Sequence, residues 1–163
     1  MKIAIISDIH DNLVNLKKCL GWCSANGVEQ LVCCGDVANS ETLQYLSEKF
    51  SGPIHLVKGN MEIFTDGEAE EFKNIIFYGK LARFELADKK IGACHEPFLI
   101  VKVLELGKCD IVFYGHTHKP WESMENGARA INPGTLGGVF QKATFAVWDT
   151  EKEELELKIL EMM

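Results

Sequence analysis

The sequence predicts an α/β protein in which two packed β-sheets carry helices on their outer faces. Short apolar runs separated by polar clusters indicate buried strands, and residues at helical spacing follow several of them. The first part of the chain alternates strand and helix, which is typical of parallel sheets, whereas the last part contains hairpin signals. The length of 163 residues suits one domain, spanning 1–163.

Three strands and two helices are predicted for the first 58 residues. The strands are the apolar runs at 2–7, 28–34 and 54–58. The first helix begins after Asn12, whose side chain suits an N-cap, and it ends at Gly27, because glycine accepts the left-handed conformation found there. A second, shorter helix is predicted at 41–50.

Strands dominate the rest of the chain. Consecutive strands joined by tight turns are predicted at 74–78, 81–86 and 89–94. Pro97 suits the first turn of a crossover helix at 98–106, and Gly107 suits its end. Five further strands are predicted, at 110–114, 121–125, 128–132, 144–149 and 155–160.

Composition and charge exclude several classes of protein. Seventeen basic and 24 acidic side chains give a net charge of −7, so we expect no nucleic-acid partner. No apolar stretch approaches the ~18 residues that span a membrane, and Asp8 interrupts the short apolar start, so neither a membrane segment nor a signal peptide is expected. The six cysteines contain no Cys-x-x-Cys spacing, and we expect reduced thiols in a cytoplasmic protein.

Five polar clusters each follow one of the predicted strands. They are Asp8-Ile9-His10, Gly35-Asp36, Gly59-Asn60, His95 and Gly115-His116-Thr117-His118. Because the carboxyl ends of strands line the ligand crevice in α/β sheets, we expect the clusters to converge. Their nitrogen and oxygen donors suit first-row divalent metals, and seven candidate ligands favour two ions that share a ligand over one tetrahedral ion.

Each cluster alone has a simpler interpretation. Asp8-x-His10 is also an ordinary polar strand end, Gly-Asp and Gly-Asn are turn sequences, and a single histidine such as His95 is more often hydrogen-bonded than metal-bound. The ordered set at successive strand ends is what predicts a metal site. His55 lies inside a predicted strand and is interpreted as structural.

The ordered set resembles the motif series of the calcineurin-like metallophosphoesterases. The opening Ser7-Asp8-Ile9-His10-Asp11-Asn12 and the small size resemble their compact bacterial and archaeal phosphodiesterase branch, and Asn132-Pro133-Gly134-Thr135 resembles a further loop of that branch. The resemblance implies a four-layer αββα sandwich of two mixed sheets, with a metal site at the carboxyl ends of the strands. It also implies metal-dependent hydrolysis of a small phosphodiester.

Carried over position by position, the resemblance implies a two-metal centre. One ion would take Asp8, His10 and His118. The other would take Asn60, His95 and His116, and Asp36 would bridge the two. Asp36, Asn60, His95 and His116 are the expected catalytic residues. Manganese is the expected metal, and iron, cobalt, nickel and zinc also suit these donors.

The charges of such a centre suit a phosphate ester. Two divalent ions, two aspartates and a bridging hydroxide leave about one positive charge, even though the chain as a whole is acidic. Two ions also clamp phosphoryl oxygens and activate the bridging hydroxide for attack on phosphorus.

Two positions depart from the family pattern. Met61 stands where many members have a proton-donating histidine, and Glu96-Pro97 stands where a glycine usually follows the ligand. Glu62 and Glu96 are interpreted as solvated surface acids, with proton shuttling as the alternative.

Several functions remain as alternatives to a phosphodiesterase. They are a phosphomonoesterase, a nuclease, and a non-catalytic interaction scaffold of the same fold, such as a retromer subunit of eukaryotes. Self-association into a homo-oligomer is also open.

Overall fold

The computed structural model describes all 163 residues and contains two β-sheets. The strands are β1 (Lys2–Ile6), β2 (Gln30–Cys33), β3 (Ile54–Leu56), β4 (Ile75–Phe77), β5 (Leu81–Leu86), β6 (Lys89–Cys94), β7 (Ile111–Phe113), β8 (Trp121–Glu125), β9 (Ala128–Asn132), β10 (Thr144–Asp149) and β11 (Glu154–Ile159). The helices are α1 (Leu13–Ala25), α2 (Ser40–Lys49), α3 (Asp66–Glu70) and α4 (Ile100–Glu105). Short 3₁₀ turns lie at Pro97–Leu99 and Leu160–Met162.

Both sheets combine parallel and antiparallel pairs, as the sequence predicts. The six-stranded sheet has the order β11-β10-β1-β2-β3-β4, and the five-stranded sheet has the order β5-β6-β7-β9-β8. Strands β1 to β4 pair in parallel, and so do β6, β7 and β9. The antiparallel pairs involve the hairpin strands β5, β8, β10 and β11.

Three buried clusters show the αββα layering. In β1, Ala4 and Ile6 pack beneath α1 and α2, whereas Ile3 and Ile5 belong to the cluster between the two sheets. A third cluster lies under α4 and includes Val103. Successive strand residues point to opposite faces, so one strand supplies both layers. Each large apolar side chain that is fully buried contributes roughly 1.5–3 kcal/mol.

Two connections add what the sequence prediction leaves out. Strand β4 pairs with β3 and β5 pairs with β6, so these consecutive strands lie in different sheets. Helix α3 is absent from the sequence prediction, although Thr65 and Glu68 form the reciprocal capping box that marks a helix start. The helix has only five residues, too few for a periodic pattern.

The parallel strands bring the polar clusters to one edge of the molecule. The loop after β1 follows the loop after β2, with hydrogen bonds from Asp8 N to Gly35 O (3.0 Å) and from His10 N to Asp36 O (3.0 Å). The two sheets meet at this edge, where His95 Nδ1 donates to Cys34 O at 2.7 Å. All six cysteines are buried and unpaired. None of the helices is long and apolar enough to cross a membrane.

Candidate metal centre

Most of the candidate ligands adopt a left-handed backbone conformation. The φ angles are +54° at Asp8, +47° at His10, +55° at Asp36, +70° at His116 and +59° at His118. This conformation costs a residue with a side chain roughly 1–2 kcal/mol, and Asp and His tolerate it better than most. Such strain concentrates where a site requires it, and here it turns successive side chains toward the same space.

Two glycines allow the strand ends to approach closely. A Cβ atom on Gly59 would lie 2.1 Å from Asp36 Oδ1, and one on Gly115 would lie 1.9 Å from Ser7 Oγ and 2.7 Å from Asp8 Oδ2. These distances are far below van der Waals contact, so only glycine fits. The Gly-Asn and Gly-His pairs are therefore more than turn sequences, because each glycine makes room for a carboxylate.

One group of ligand atoms contains Asp8, His10 and His118. Asp8 Oδ1 lies 3.2 Å from His118 Nε2 and 3.7 Å from His10 Nε2. The two imidazole nitrogens are themselves 3.2 Å apart. Three donor atoms this close together form a face that a single cation can occupy.

A second group lies beside the first. Asp36 Oδ2 is 3.3 Å from His95 Nε2, and Asn60 Oδ1 is 2.9 Å from the same nitrogen. Asn60 Oδ1 also lies 2.9 Å from His116 Nδ1. The structure thus brings together all seven residues that the sequence singles out.

Two carboxylates face both groups. Asp36 Oδ2 lies 3.7 Å from His10 Nε2 as well as 3.3 Å from His95 Nε2. Asp8 Oδ1 lies 4.0 Å from His95 Nε2, and it belongs with Asp36 and His95 to a second candidate metal group. The family resemblance assigns the shared position to Asp36 alone, and the structure adds that Asp8 Oδ1 also reaches across.

Backbone carbonyls set the protonation of two of the histidines. Cys34 O accepts from His95 Nδ1 at 2.7 Å, and Val139 O accepts from His118 Nδ1 at 3.1 Å. Each ring therefore carries its proton on Nδ1 and presents the lone pair of Nε2 to the cluster. This is the usual arrangement for a metal-binding histidine.

The donor set fits divalent cations. Asp8 is fully buried, yet its Oδ1 has no hydrogen-bond partner. A buried carboxylate oxygen without a partner is costly unless a cation compensates it. The surrounding imidazole, carboxylate and amide donors suit manganese, iron, cobalt, nickel or zinc.

The carboxylates also shift the pKa values of neighbouring groups. The pKa of His10 is raised, chiefly by the Asp8 carboxylate beside it. Burial lowers the pKa of His95, but the neighbouring Asp36 and Asp8 carboxylates outweigh it and raise the value overall. Burial raises the pKa of Asp36, and the contacts with His95 reverse that effect and lower it. The cluster attracts positive charge even without a metal.

Burial defines the open side of the cluster. Asp8, Asp36 and His95 are buried, His10 and His118 are partly buried, and Asn60 and His116 are exposed. The cluster is therefore open to solvent on the side of Asn60 and His116.

Two acids near the cluster, Glu62 and Glu96, differ from their sequence interpretation, and a third, Asp11, makes structural contacts. Glu62 is not a solvated surface acid, because its carboxylate accepts from three backbone N–H groups. Glu96 is partly buried, and its Oε2 is buried without a partner. Asp11 lies in the turn before α1, and its carboxylate accepts from the backbone and side chain of Asn39 and from Thr42 Oγ1.

Met61 and His55 match their sequence interpretation. The backbone N–H of Met61 donates to Asp36 Oδ1 at 2.8 Å, and its side chain is 54% exposed beside the cluster. No proton donor therefore occupies that position. His55 lies away from the cluster, bonded to Tyr78 at 2.9 Å and stacked on Phe84 at 4.2 Å between ring centroids.

Comparison with known protein sequences gives one family. The model of the calcineurin-like phosphoesterase superfamily domain matches residues 1–153. A phosphodiesterase of Methanocaldococcus jannaschii is 31% identical over 173 residues, covering 99% of this chain and 100% of that protein. A probable metallophosphoesterase of the same archaeon is 29% identical over 145 residues, covering 83% of this chain and 68% of that protein.

Comparison with solved structures gives the same fold. A structure described as a novel archaeal phosphodiesterase has a TM-score of 0.87 and 26% identity, covering 98% of this chain and 99% of that one. The phosphoesterase Yfce from E. coli has a TM-score of 0.73 and 19% identity, with coverages of 98% and 100%. Zinc-complexed Vps29 from Entamoeba histolytica has a TM-score of 0.70 and 18% identity, with coverages of 96% and 90%. The last two show the fold alone.

Proposed function

The chain belongs to the calcineurin-like phosphoesterase superfamily, and from this premise we propose that it hydrolyses small phosphodiesters with two divalent ions. Family membership makes it a metal-dependent phosphoric ester hydrolase. One observation carries the two-ion proposal: Asp36 Oδ2 lies 3.7 Å from His10 Nε2 and 3.3 Å from His95 Nε2, and so it faces both ligand groups. A single oxygen between two sets of donors suits a bridging ligand.

The proposed first set is Asp8, His10 and His118. Their donor atoms are 3.2–3.7 Å apart, and His118 is held by its bond to Val139 O. Asp8 Oδ2 accepts from the backbone N–H of His116 at 3.0 Å. That bond leaves Oδ1 free to act as the ligand.

The proposed second set is Asn60, His95 and His116, together with Asp36. His95 is fully buried and oriented by Cys34 O. Asn60 and His116 are exposed, so they bind at the side from which the substrate enters and position a phosphoryl oxygen. Two ions bound here supply a water of lowered pKa and charge neutralisation for the phosphoryl group.

A diester is the proposed substrate class. Relatives described as phosphodiesterases support it. Met61 stands where many family members have the histidine that protonates the leaving group, so we expect a preference for diesters with acidic leaving groups. A phosphomonoesterase is the alternative activity, and the non-catalytic scaffold is not favoured because all seven ligand positions keep donor side chains.

The remaining proposals concern the identity of the metal and the cellular compartment. We propose Mn²⁺ as the working ion, since hard oxygen donors from two aspartates and one asparagine accompany the imidazoles. The six buried, unpaired thiols fit a reducing compartment such as the cytoplasm.

The test uses metal-free protein. Purified protein is treated with a chelator, and each of Mn²⁺, Fe²⁺, Co²⁺, Ni²⁺ and Zn²⁺ is added back separately. Hydrolysis of matched nitrophenyl monoesters and diesters is then measured, and bound metal is counted by elemental analysis. We expect two ions per chain and restored diester hydrolysis. One tightly bound ion at most, in excess metal, would contradict the two-metal proposal, and faster monoester hydrolysis would favour the alternative.

A further inference from the structure

We infer that Glu62 is a positioning residue whose carboxylate holds the Asp36 and Asn60 loops together and thereby sets the metal affinity of the centre. The inference rests on the proposed function. It concerns a side chain that contacts neither the substrate nor a candidate ligand atom, and that the sequence places on the surface.

The Glu62 carboxylate joins two loops through backbone groups. Oε1 accepts from Val37 N at 3.3 Å and from Gly59 N at 3.1 Å, and Oε2 accepts from Ala38 N at 2.8 Å. Val37 and Ala38 directly follow Asp36, and Gly59 directly precedes Asn60. This side chain therefore links two strand ends that lie in different loops, alongside the bonds from Met61 N to Asp36 Oδ1 and from Ile63 N to Ala38 O.

The loop after β2 needs such a partner. Asp36 and Ala38 have φ angles of +55° and +86°, and alanine rarely adopts such a conformation. Without Glu62, the amides of Val37, Ala38 and Gly59 would lose their side-chain acceptor in a partly buried place. The loop would then relax toward a less strained conformation and move Asp36.

The loops that carry Asp36 and Asn60 are in close contact. A Cβ on Gly59 would lie 2.3 Å from Asp36 N and 2.1 Å from Asp36 Oδ1. A small shift of either loop therefore changes the distance between the Asp36 carboxylate and Asn60. Because ligand geometry governs metal affinity, a clamp on the backbone acts on the metal centre through these two residues.

Glu68 offers a matched control in the same segment. Its carboxylate accepts from Ser40 Oγ at 2.7 Å and from Thr65 N at 2.7 Å. It therefore stabilises local structure as Glu62 does, but its partners lie four residues from Asp36 and five residues from Asn60 instead of beside these ligands. Removing it tests what the loss of a structural carboxylate does by itself.

The experiment compares Glu62→Ala, Glu62→Gln and Glu68→Ala as metal-free proteins. Calorimetry measures Mn²⁺ affinity, the visible absorption of the Co²⁺-loaded proteins reports ligand geometry, and circular dichroism measures unfolding. We expect Glu62→Ala to lose roughly 10- to 100-fold in Mn²⁺ affinity and to change the Co²⁺ spectrum. We expect the Mn²⁺ affinity of Glu62→Gln to lie between those of Glu62→Ala and the wild type, because an amide keeps one acceptor oxygen.

The control separates positioning from stability. Glu68→Ala should lower the unfolding temperature and leave Mn²⁺ affinity and the Co²⁺ spectrum as in the wild type. Wild-type affinity and spectrum in folded Glu62→Ala, or in Glu62→Gln where the alanine variant does not fold, would overturn the inference while the proposed function stands. Wild-type protein that binds no ion would overturn both.

Discussion

Replacing Asp36 by asparagine removes a negative charge from the place where the two ligand groups meet. The amide oxygen of asparagine can still accept from Met61 N, which now donates to Oδ1 at 2.8 Å. The amide NH₂ would take the place of Oδ2, 3.3 Å from His95 Nε2 and 3.7 Å from His10 Nε2. An NH₂ group cannot bind a cation, so both groups lose an oxygen while the loop keeps its backbone hydrogen bond.

The size of the effect follows from the position of Asp36 between both proposed ions. Removing an outer partner of a metal ligand typically costs about 10- to 100-fold in metal affinity or activity. Asp36 is proposed to touch both ions directly, so we expect a loss at or above the upper end, about 100-fold, in kcat/KM. That factor equals about 2.7 kcal/mol of transition-state stabilisation.

Asp11→Asn is the comparison variant. The structure shows that Asp11 Oδ1 accepts from Asn39 N at 2.9 Å and from Thr42 Oγ1 at 2.6 Å, and it lies outside the ligand groups. Its replacement should cost about 1–3 kcal/mol of unfolding free energy. In a chain of this size that lowers Tm by about 2–4 °C per kcal/mol, with metal binding retained.

The assay measures kcat/KM on a nitrophenyl diester, metal content and Tm for both variants with the wild type. We expect Asp36→Asn to lose activity and bound metal, and Asp11→Asn to lose stability instead. Equal losses of activity in two variants that are both folded at the assay temperature would refute the assignment of Asp36 as the shared ligand.

Individual side chains support three further predictions. A general acid typically raises the rate by ~10²–10⁴-fold and matters most for poor leaving groups, so Met61→His should raise the hydrolysis rate of alkyl diesters more than that of nitrophenyl diesters. A shallow dependence of the wild-type rate on leaving-group pKa would contradict this prediction. Burial lowers the pKa of His55 to about 4, below the ~6.5 of a histidine in the unfolded chain, so the stability that neutral, buried His55 contributes is fully present above pH ~6.5 and is lost as pH falls through about 4. Between pH 7 and pH 4, the unfolding free energy of His55→Phe should therefore fall by up to about 3 kcal/mol less than that of the wild type. Equal falls for the two proteins in denaturant titrations would count against this prediction. Gly115→Ala places a Cβ 1.9 Å from Ser7 Oγ and 2.7 Å from Asp8 Oδ2 and should lower Mn²⁺ affinity by about tenfold or more, whereas Gly67→Ala, with nothing within 4 Å, should leave calorimetric affinity as it is.

Local pattern in the sequence determined most of the elements. Strands β5, β6, β8, β9 and β10 have the predicted bounds, because alternating apolar runs between turn residues are a local signal. Asn12 caps α1 as predicted, with its side chain accepting from Asn15 N. The order of polar clusters at strand ends was enough to single out seven residues that the fold brings together, because parallel strands carry their carboxyl ends to a common edge.

Tertiary packing decided what these local patterns do not contain. Strands β4 and β5 follow each other closely in the chain but belong to different sheets, since sheet membership depends on which neighbouring strand supplies hydrogen bonds. Glu62 looks like a surface acid in sequence, and nothing local marks the contacts of Asp11. Both carboxylates bind N–H or O–H donors from segments 24 to 31 residues away, which only the folded chain brings to them. The position of Asp8 Oδ1 between both ligand groups also depends on tertiary packing. It follows from the left-handed backbone of the ligand loops and from two glycines at which a Cβ would clash, and neither feature can be read from the sequence.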